Sequence, residues 1–351
     1  MENILILGAG AMGSAFAFPC ADNGHKVCLV GTHLEDNFID NIKSKENLHP
    51  ALGCVLPKSI KILKFKNIKD EIKNNVSLIV LGVNSKGIEW ASKELGNLMQ
   101  NEIPILLLTK GLSLEKNKYT TLAEKLDKLL QKNGQKKTNI TAVGGPCLAS
   151  GLANRIRSSV ILANTNIEEA KKISKMISTD YYSTELSEDL IGMEVCAAIK
   201  NIYSMIIGAS EELSSENASK EIKNKNFLNT AASLMHQSIS EMAFFTKSLG
   251  GKESTVYGLA GLGDLYVSSA GGRNSRMGKY LSYGMTYKEA KKKYMSKETV
   301  EGAELVHEIG HQIFKDYNKS QLPLMMNIID VICNNKKLKL DWVNKKLTSK
   351  I

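Results

Sequence analysis

Short apolar runs punctuate the first half of the chain, and they lack the polar alternation of a half-buried strand. Asn3–Leu7, Lys26–Gly31, Val76–Val83, Pro104–Thr109, Asn139–Val143 and Ser159–Ala163 are rich in leucine and β-branched residues, as strands covered on both faces should be. Amphipathic stretches such as Ala11–Asn23 and Tyr119–Gln131 lie between them. Strand, helix and strand in repetition predict a doubly wound parallel sheet. From residue 187 onward the strand-like runs stop. Segments of helical period follow at Ser187–Leu213, Asn226–Leu249, Ser275–Tyr283, Thr286–Met295, Val300–Tyr317 and Pro323–Asn334. The pattern predicts an α/β, Rossmann-like domain over residues 1–186 and an all-helical domain over residues 187–351. SSENASKEIKNK, residues 214–225, is polar and without aromatics, which predicts a mobile loop, and Asn344–Ile351 reads as a frayed tail. No internal repeat is visible.

Composition changes this picture little. Hydrophobic residues at 43% and charged residues at 23% are ordinary for a globular chain. No apolar run approaches the roughly 18 residues of a membrane span, and Asn3–Leu7 is too short for a secretory leader. A cytoplasmic chain with no membrane insertion is therefore expected. The six cysteines (20, 28, 54, 147, 196 and 333) are scattered without metal-ligand spacing, so reduced, mostly buried thiols and no metal site are expected. A net charge of +10 raises nucleic acid as a partner, but the lysines are dispersed and aromatics reach only 6%. Steering of small anions toward a positive cleft fits that charge better.

Gly8-Ala9-Gly10-Ala11-Met12-Gly13 follows the first apolar run and opens a helical stretch, the context a dinucleotide-binding G-x-G-x-x-G requires. Gly8 permits the tight turn, Gly10 lets a pyrophosphate approach the backbone, and Gly13 lets helix and strand pack closely. The helix N-terminus supplies free N–H groups and partial positive charge. An NAD site usually adds an acid about twenty residues on, at the tip of the second strand. Here the tip reads Val30-Gly31-Thr32-His33, and Glu35 and Asp36 come slightly late. Thr32 and His33 suit a 2′-phosphate, which favours NADP over NAD.

Four further segments stand out: Leu108-Thr109-Lys110-Gly111-Leu112; Gly145-Pro146-Cys147-Leu148-Ala149; Ala198-Ile199-Lys200-Asn201; and Gly258-Leu259-Ala260-Gly261-Leu262-Gly263-Asp264-Leu265. GGRNSRMG, residues 271–278, and Val300-Glu301-Gly302 follow. Lys200 lies in an otherwise apolar stretch, where a lysine is costly to bury unless paired. Helical spacing alone would also allow it a solvated face; its joint occurrence with Lys110 and Asp264 favours a working amine. Only four of the 46 basic residues are arginines, and two of the four, Arg273 and Arg276, fall in one glycine-rich stretch. A guanidinium fork grips two oxygens of one oxyanion, which a lysine does not. Arg273 and Asn274 stand where a helix should begin, so guanidinium and helix amides together suit a phosphate. Arg276 either reinforces that grip or is merely solvated, and Arg155 and Arg157 read as surface residues.

With these motifs in place, the chain resembles the bacterial-type NAD(P)-dependent glycerol-3-phosphate dehydrogenases from Met1 to about residue 335. GLAGLGDL and the helical A-x-K-N are the most specific marks. The resemblance implies a C-terminal helical domain like that of 6-phosphogluconate dehydrogenase, a homodimer, and hydride transfer between NAD(P)H and dihydroxyacetone phosphate that supplies phospholipid synthesis. It makes Lys200 the proton-exchanging residue, Lys110 a contact of cofactor and substrate, and Asp264 a carboxylate of the substrate site. Gly145, Cys147, Gly272, Arg273 and Asn274 become substrate contacts; Ala11, Met12, Ala149, Arg273 and Glu301 become cofactor contacts. The chemistry agrees independently, because a lysine can both stabilise a developing alkoxide and deliver its proton without a metal. Departures are Ala11-Met12 for a serine–tryptophan, a shorter loop from Asp264 to Arg273, Gly272 for serine, Cys147 for a small hydroxyl, and His236-Gln237-Ser238 for Thr-Arg-Gly. They leave open a reductase of another ketose phosphate or a 2-ketoacid; a cofactor-sensing regulator would need none of Lys110, Lys200 and Asp264.

Overall fold

In the computed structural model, residues 1–215 and 217–340 are described, so the expected frayed tail lies outside the described residues. Twelve strands occur among them: β1 (Asn3–Leu7), β2 (Lys26–Val30), β3 (Leu48–His49), β4 (Cys54–Val55), β5 (Lys61–Leu63), β6 (Leu78–Leu81), β7 (Ile105–Leu107), β8 (Leu112–Glu115), β9 (Lys118–Thr121), β10 (Ile140–Gly144), β11 (Ser158–Ala163) and β12 (Tyr182–Ser187). Eight of them form one sheet in the order β12-β11-β10-β7-β6-β1-β2-β5. Six strands from β10 to β5 are mutually parallel, while β11 runs antiparallel to β10 and parallel to β12. The expected parallel sheet is thus mixed at one edge, because the chain leaves β10 through only a short helix, Ala149–Ala153, and returns along its neighbour. Strand order reverses at β1, which has β2 on one side and β6 on the other. Ligands of open α/β sheets bind outside the carboxyl ends of the strands at such a point. Ile4, Ile6, Leu29, Leu78 and Val80 form the core with Phe16 and Tyr182, whose rings meet edge to face at 6.0 Å.

The chain divides into two compact units, Met1–Lys110 with Thr121–Met193 and Gly111–Thr120 with the chain from Glu194 onward. The main run of the second unit therefore begins seven residues later than the expected Ser187, because the first turn of the Leu190–Gly208 helix groups with the first unit. It also takes in the hairpin of β8 and β9. That hairpin turns at Lys116 and Asn117, both at positive φ, the geometry of a tight two-residue turn. Tyr119 packs edge to face on Phe245 at 5.7 Å, and the Leu114 N–H reaches Glu308.

The second unit is otherwise helical: the end of Leu190–Gly208, then Lys220–Ser248, Asp264–Ser269, Arg273–Ser282, Tyr287–Tyr294, Glu301–Asp316 and Pro323–Cys333 are its main helices. The loop expected over 214–225 is shorter, because Ser219 caps the 29-residue helix by accepting the Ile222 N–H. One expectation about apolar runs also changes: Leu190–Gly208 is long and apolar enough to cross a membrane, but 83% of its apolar window is buried inside the protein. Glycines let neighbouring helices close on it. A Cβ at Gly278 would stand 1.7 Å from the Met205 carbonyl oxygen, and one at Gly302 would stand 2.4 Å from that of Asn201.

Candidate functional site

In the first unit the site is assembled from chain that leaves the carboxyl ends of the strands. Gly8, directly after β1, has φ +110°, open to glycine and strained for any other residue. A Cβ on Gly13 would lie 2.1 Å from the Gly8 carbonyl oxygen, whereas Gly10 faces open space. The helix Ala11–Asp22 starts at Gly10 with no side-chain cap, so its first N–H groups are available to an anion. Ala11 and Met12 pack partly onto the core. These features fit a dinucleotide pyrophosphate.

The peptide of Ala9, in the middle of the glycine motif, is gripped from two sides. Its N–H donates to Glu35 Oε2 at 3.1 Å, and the same oxygen accepts the Thr32 N–H at 2.7 Å. Its carbonyl accepts from Ser14 Oγ at 3.0 Å and meets His49 Nε2 at 3.1 Å. The Leu52 N–H donates to His49 Nδ1, so Nε2 must carry the proton and the ring is neutral. Burial pushes this imidazole below its ordinary value, the Ala9 carbonyl and the Glu35 charge opposing only in part. The unfolded chain then binds more protons than the native one below about pH 6.5, so stability is full above that pH and falls beneath it. Melting curves from pH 7 to 5 should show His49→Phe with a shallower acid slope than the parent; equal slopes would remove His49 as the cause.

His33 does not join this cluster. It is exposed, with its ring 4.6 Å from that of Trp90. Lys110, just beyond β7, reaches the Gly145 carbonyl at 3.4 Å, and Gly145 is at φ +117° just beyond β10. The Cys147 N–H donates to that same carbonyl, and Ala149 opens the following short helix. All six cysteines are free thiols.

The second unit holds the other half of the expected residues. Lys200 and Asp264 are 6% and 3% exposed, and Nζ donates to Asp264 Oδ1 at 2.5 Å and Ser268 Oγ at 2.6 Å. Glycines make this possible: Leu259–Gly263 winds as a π-turn that aims Asp264, and a Cβ at Gly261 would stand 2.0 Å from the Val256 carbonyl. Ser268 went unnoticed in the sequence, although it lies one helical turn after Asp264 on the same face. Asn201 Oδ1 accepts from Asn274 Nδ2 at 3.0 Å, and Asn274 Oδ1 accepts the Gly302 N–H at 2.8 Å. Each partner follows a candidate in the chain: Lys200, Arg273 and Glu301. The buried asparagine relay thus ties three distant segments into one site. Gly272 caps the Arg273–Ser282 helix, and Arg273 pairs with Glu301. Exposed Arg276 pairs with Glu298 instead. Arg155 grips Asp22 through two bonds of 2.8 and 2.9 Å, with its guanidinium over Phe18.

Residues 3–170 match the N-terminal domain, and residues 189–340 the C-terminal domain, of NAD-dependent glycerol-3-phosphate dehydrogenases. The chain is 31% identical over 287 residues to the NADP(+)-dependent glycerol-3-phosphate dehydrogenase of Archaeoglobus fulgidus, covering 82% of each. It is 28% identical over 338 residues to the glycerol-3-phosphate dehydrogenase [NAD(P)+] of Oceanobacillus iheyensis, covering 96% of this chain and 91% of that one. The crystal structure of the glycerol-3-phosphate dehydrogenase of Coxiella burnetii superposes with a TM-score of 0.77 at 25% identity, covering 96% of both chains.

Proposed function

Because the chain belongs to the NAD-dependent glycerol-3-phosphate dehydrogenase family, we propose a division of labour among its residues for the reaction of that family. The enzyme interconverts dihydroxyacetone phosphate and sn-glycerol 3-phosphate with NAD or NADP. The nicotinamide cofactor, when bound, supplies or accepts the hydride at the substrate's central carbon. Gly8, Gly10 and Gly13 and the amides that open the Ala11–Asp22 helix hold its pyrophosphate. Ala11, Met12, Thr32, His33, Lys110, Ala149, Arg273 and Glu301 remain the proposed surroundings of the cofactor.

Lys200 gives its proton to the carbonyl oxygen as negative charge develops there, and takes it back in the reverse direction. Asp264 Oδ1 and Ser268 Oγ fix the ammonium in direction, so little reorganisation accompanies the transfer. Burial beside a carboxylate is what permits a charged lysine in this apolar helix. Lys110, Gly145 and Cys147 remain proposed substrate contacts. Arg273 clamps the substrate phosphate with Gly272, Asn274 and the amides at the start of its helix. The single observation that carries the reading is the Asn201–Asn274 hydrogen bond of 3.0 Å. It links the residue after the acid to the residue after the clamp, as a short phosphate ester with a reactive carbonyl requires. Family membership also supports a cytoplasmic homodimer supplying glycerol phosphate for phospholipid backbones.

The test is oxidation of NADH and NADPH against a panel of ketose phosphates and 2-ketoacids. Dihydroxyacetone phosphate should give the highest kcat/KM; a 2-ketoacid in first place would overturn the assignment. Arg273→Lys should raise KM for dihydroxyacetone phosphate about tenfold or more, since the five-donor fork holds Glu301 and a phosphate together and an ammonium does not. An unchanged KM would remove Arg273 as the clamp.

A further inference from the structure

We propose that Glu35 selects the cofactor, its carboxylate accepting the adenosine ribose 2′-hydroxyl and excluding a 2′-phosphate, so that this enzyme prefers NAD. The inference rests on the dinucleotide reading of the glycine motif and reverses the lean toward NADP drawn from Thr32 and His33. Glu35 sits three residues beyond the usual place for a ribose-binding acid, just before the Asp36–Ser44 helix, which is why spacing alone set it aside. In the fold its side chain turns back. Oε2 bridges the N–H of Thr32, beyond the tip of β2, and the N–H of Ala9, between Gly8 and Gly10 just beyond β1. The carboxylate therefore spans the tips of the two strands over which a dinucleotide lays its adenosine ribose.

The geometry leaves the right valence. Two backbone donors converge on Oε2, and among the described residues nothing donates to Oε1. A ribose hydroxyl is a donor and completes that oxygen. A phosphate carries no such donor and brings close to two negative charges. It would meet Glu35 together with Asp36 in the first turn of the next helix. Lys64, which feels the Asp36 charge, is already engaged by Asp40 at 2.6 Å, and the His33 ring lies against Trp90. The carboxylate is also fixed in place, because the Ala9 peptide that binds it is held from behind by His49 and Ser14.

Fluorescence titration of the purified enzyme with NADH and NADPH tests this without turnover, and steady-state assays with dihydroxyacetone phosphate run alongside. The wild type should bind NADH at least about tenfold more tightly than NADPH, in line with one charge-assisted hydrogen bond gained or one repulsion avoided. Glu35→Gln keeps the side-chain shape and removes the charge, so the NADH dissociation constant should rise while that for NADPH falls. Opposite movements mark selection; a purely structural tie to the glycine loop would weaken both cofactors alike, and that result would overturn the proposal. Tighter NADPH binding by the wild type would overturn it too, with the dehydrogenase assignment left standing. Failure to bind either cofactor would instead sink the dinucleotide reading on which it rests.

Discussion

Replacing Lys200 by methionine should lower kcat for dihydroxyacetone phosphate reduction about a hundredfold or more, with KM changed only a fewfold. Methionine fills a similar volume in the apolar helix but has no proton to give. With the phosphate end held by the proposed Arg273 clamp, ground-state binding should survive. A complication is visible in the structure: the variant leaves Asp264, 3% exposed, without its ammonium partner. Removing one member of a buried pair costs on the order of 3–5 kcal/mol, enough to confuse lost chemistry with lost fold.

The double variant Lys200→Met/Asp264→Asn resolves this. Asparagine keeps the shape and a hydrogen-bonding oxygen while removing the buried charge, so the double variant should recover melting temperature relative to the single one. Its kcat should stay at the low value. Recovery of turnover along with stability would show that Lys200 served the fold and that another group moves the proton. Ser268→Ala offers a graded comparison. It removes one oxygen that fixes the amine and leaves Asp264, so a smaller fall in kcat is expected, again without a matching rise in KM.

The parts of this site that the sequence made legible are those with rigid spacing rules. Gly8 and Gly13 announce a backbone approach that side chains would block, and Cβ clearances of 2.7 Å at Gly8 and 2.1 Å at Gly13 bear this out. Buried parallel strands such as β1 and β6 read as unbroken apolar runs because both faces are covered. The edge strand β12, YSTELS, reads as polar because much of it is exposed, and it passed unnoticed for that reason. The hairpin of β8 and β9 was hidden by a Lys116-Asn117 turn that lacks the usual glycine. Glu35, His49 and Ser268 share a different difficulty. Each acts on a residue distant in the chain through hydrogen bonds, and no period of hydrophobicity encodes such a bond. The asparagine relay lies between. Asn201 and Asn274 sit inside recognisable motifs, but only the fold reveals the bond between them.

Glu241→Ala should destabilise the second unit by about 3 kcal/mol or more, a shift of a hundredfold or more in its folding equilibrium. The residue is 1% exposed on the Lys220–Ser248 helix. Its carboxylate accepts the N–H groups of Leu324 at 2.9 Å and Met325 at 3.0 Å, the Tyr203 hydroxyl at 3.3 Å and Gln237 Nε2 at 3.0 Å. Leu324 and Met325 open the Pro323–Cys333 helix, which has no side-chain cap at Leu322 and a proline without an N–H at its first position. Glu241 thus supplies from another helix the negative charge and acceptors this N-terminus needs. Alanine would strand two amides and a phenol away from water and leave a cavity beside them. Glu241→Gln should lose less, since one oxygen still accepts while its amide group faces donors it cannot satisfy. Urea unfolding followed through the second unit, with amide exchange at Leu324 and Met325, measures both variants. A loss below about 1 kcal/mol for the alanine variant, within the range of an ordinary surface change, would mean that the helix end finds other partners and that this carboxylate is not what anchors it.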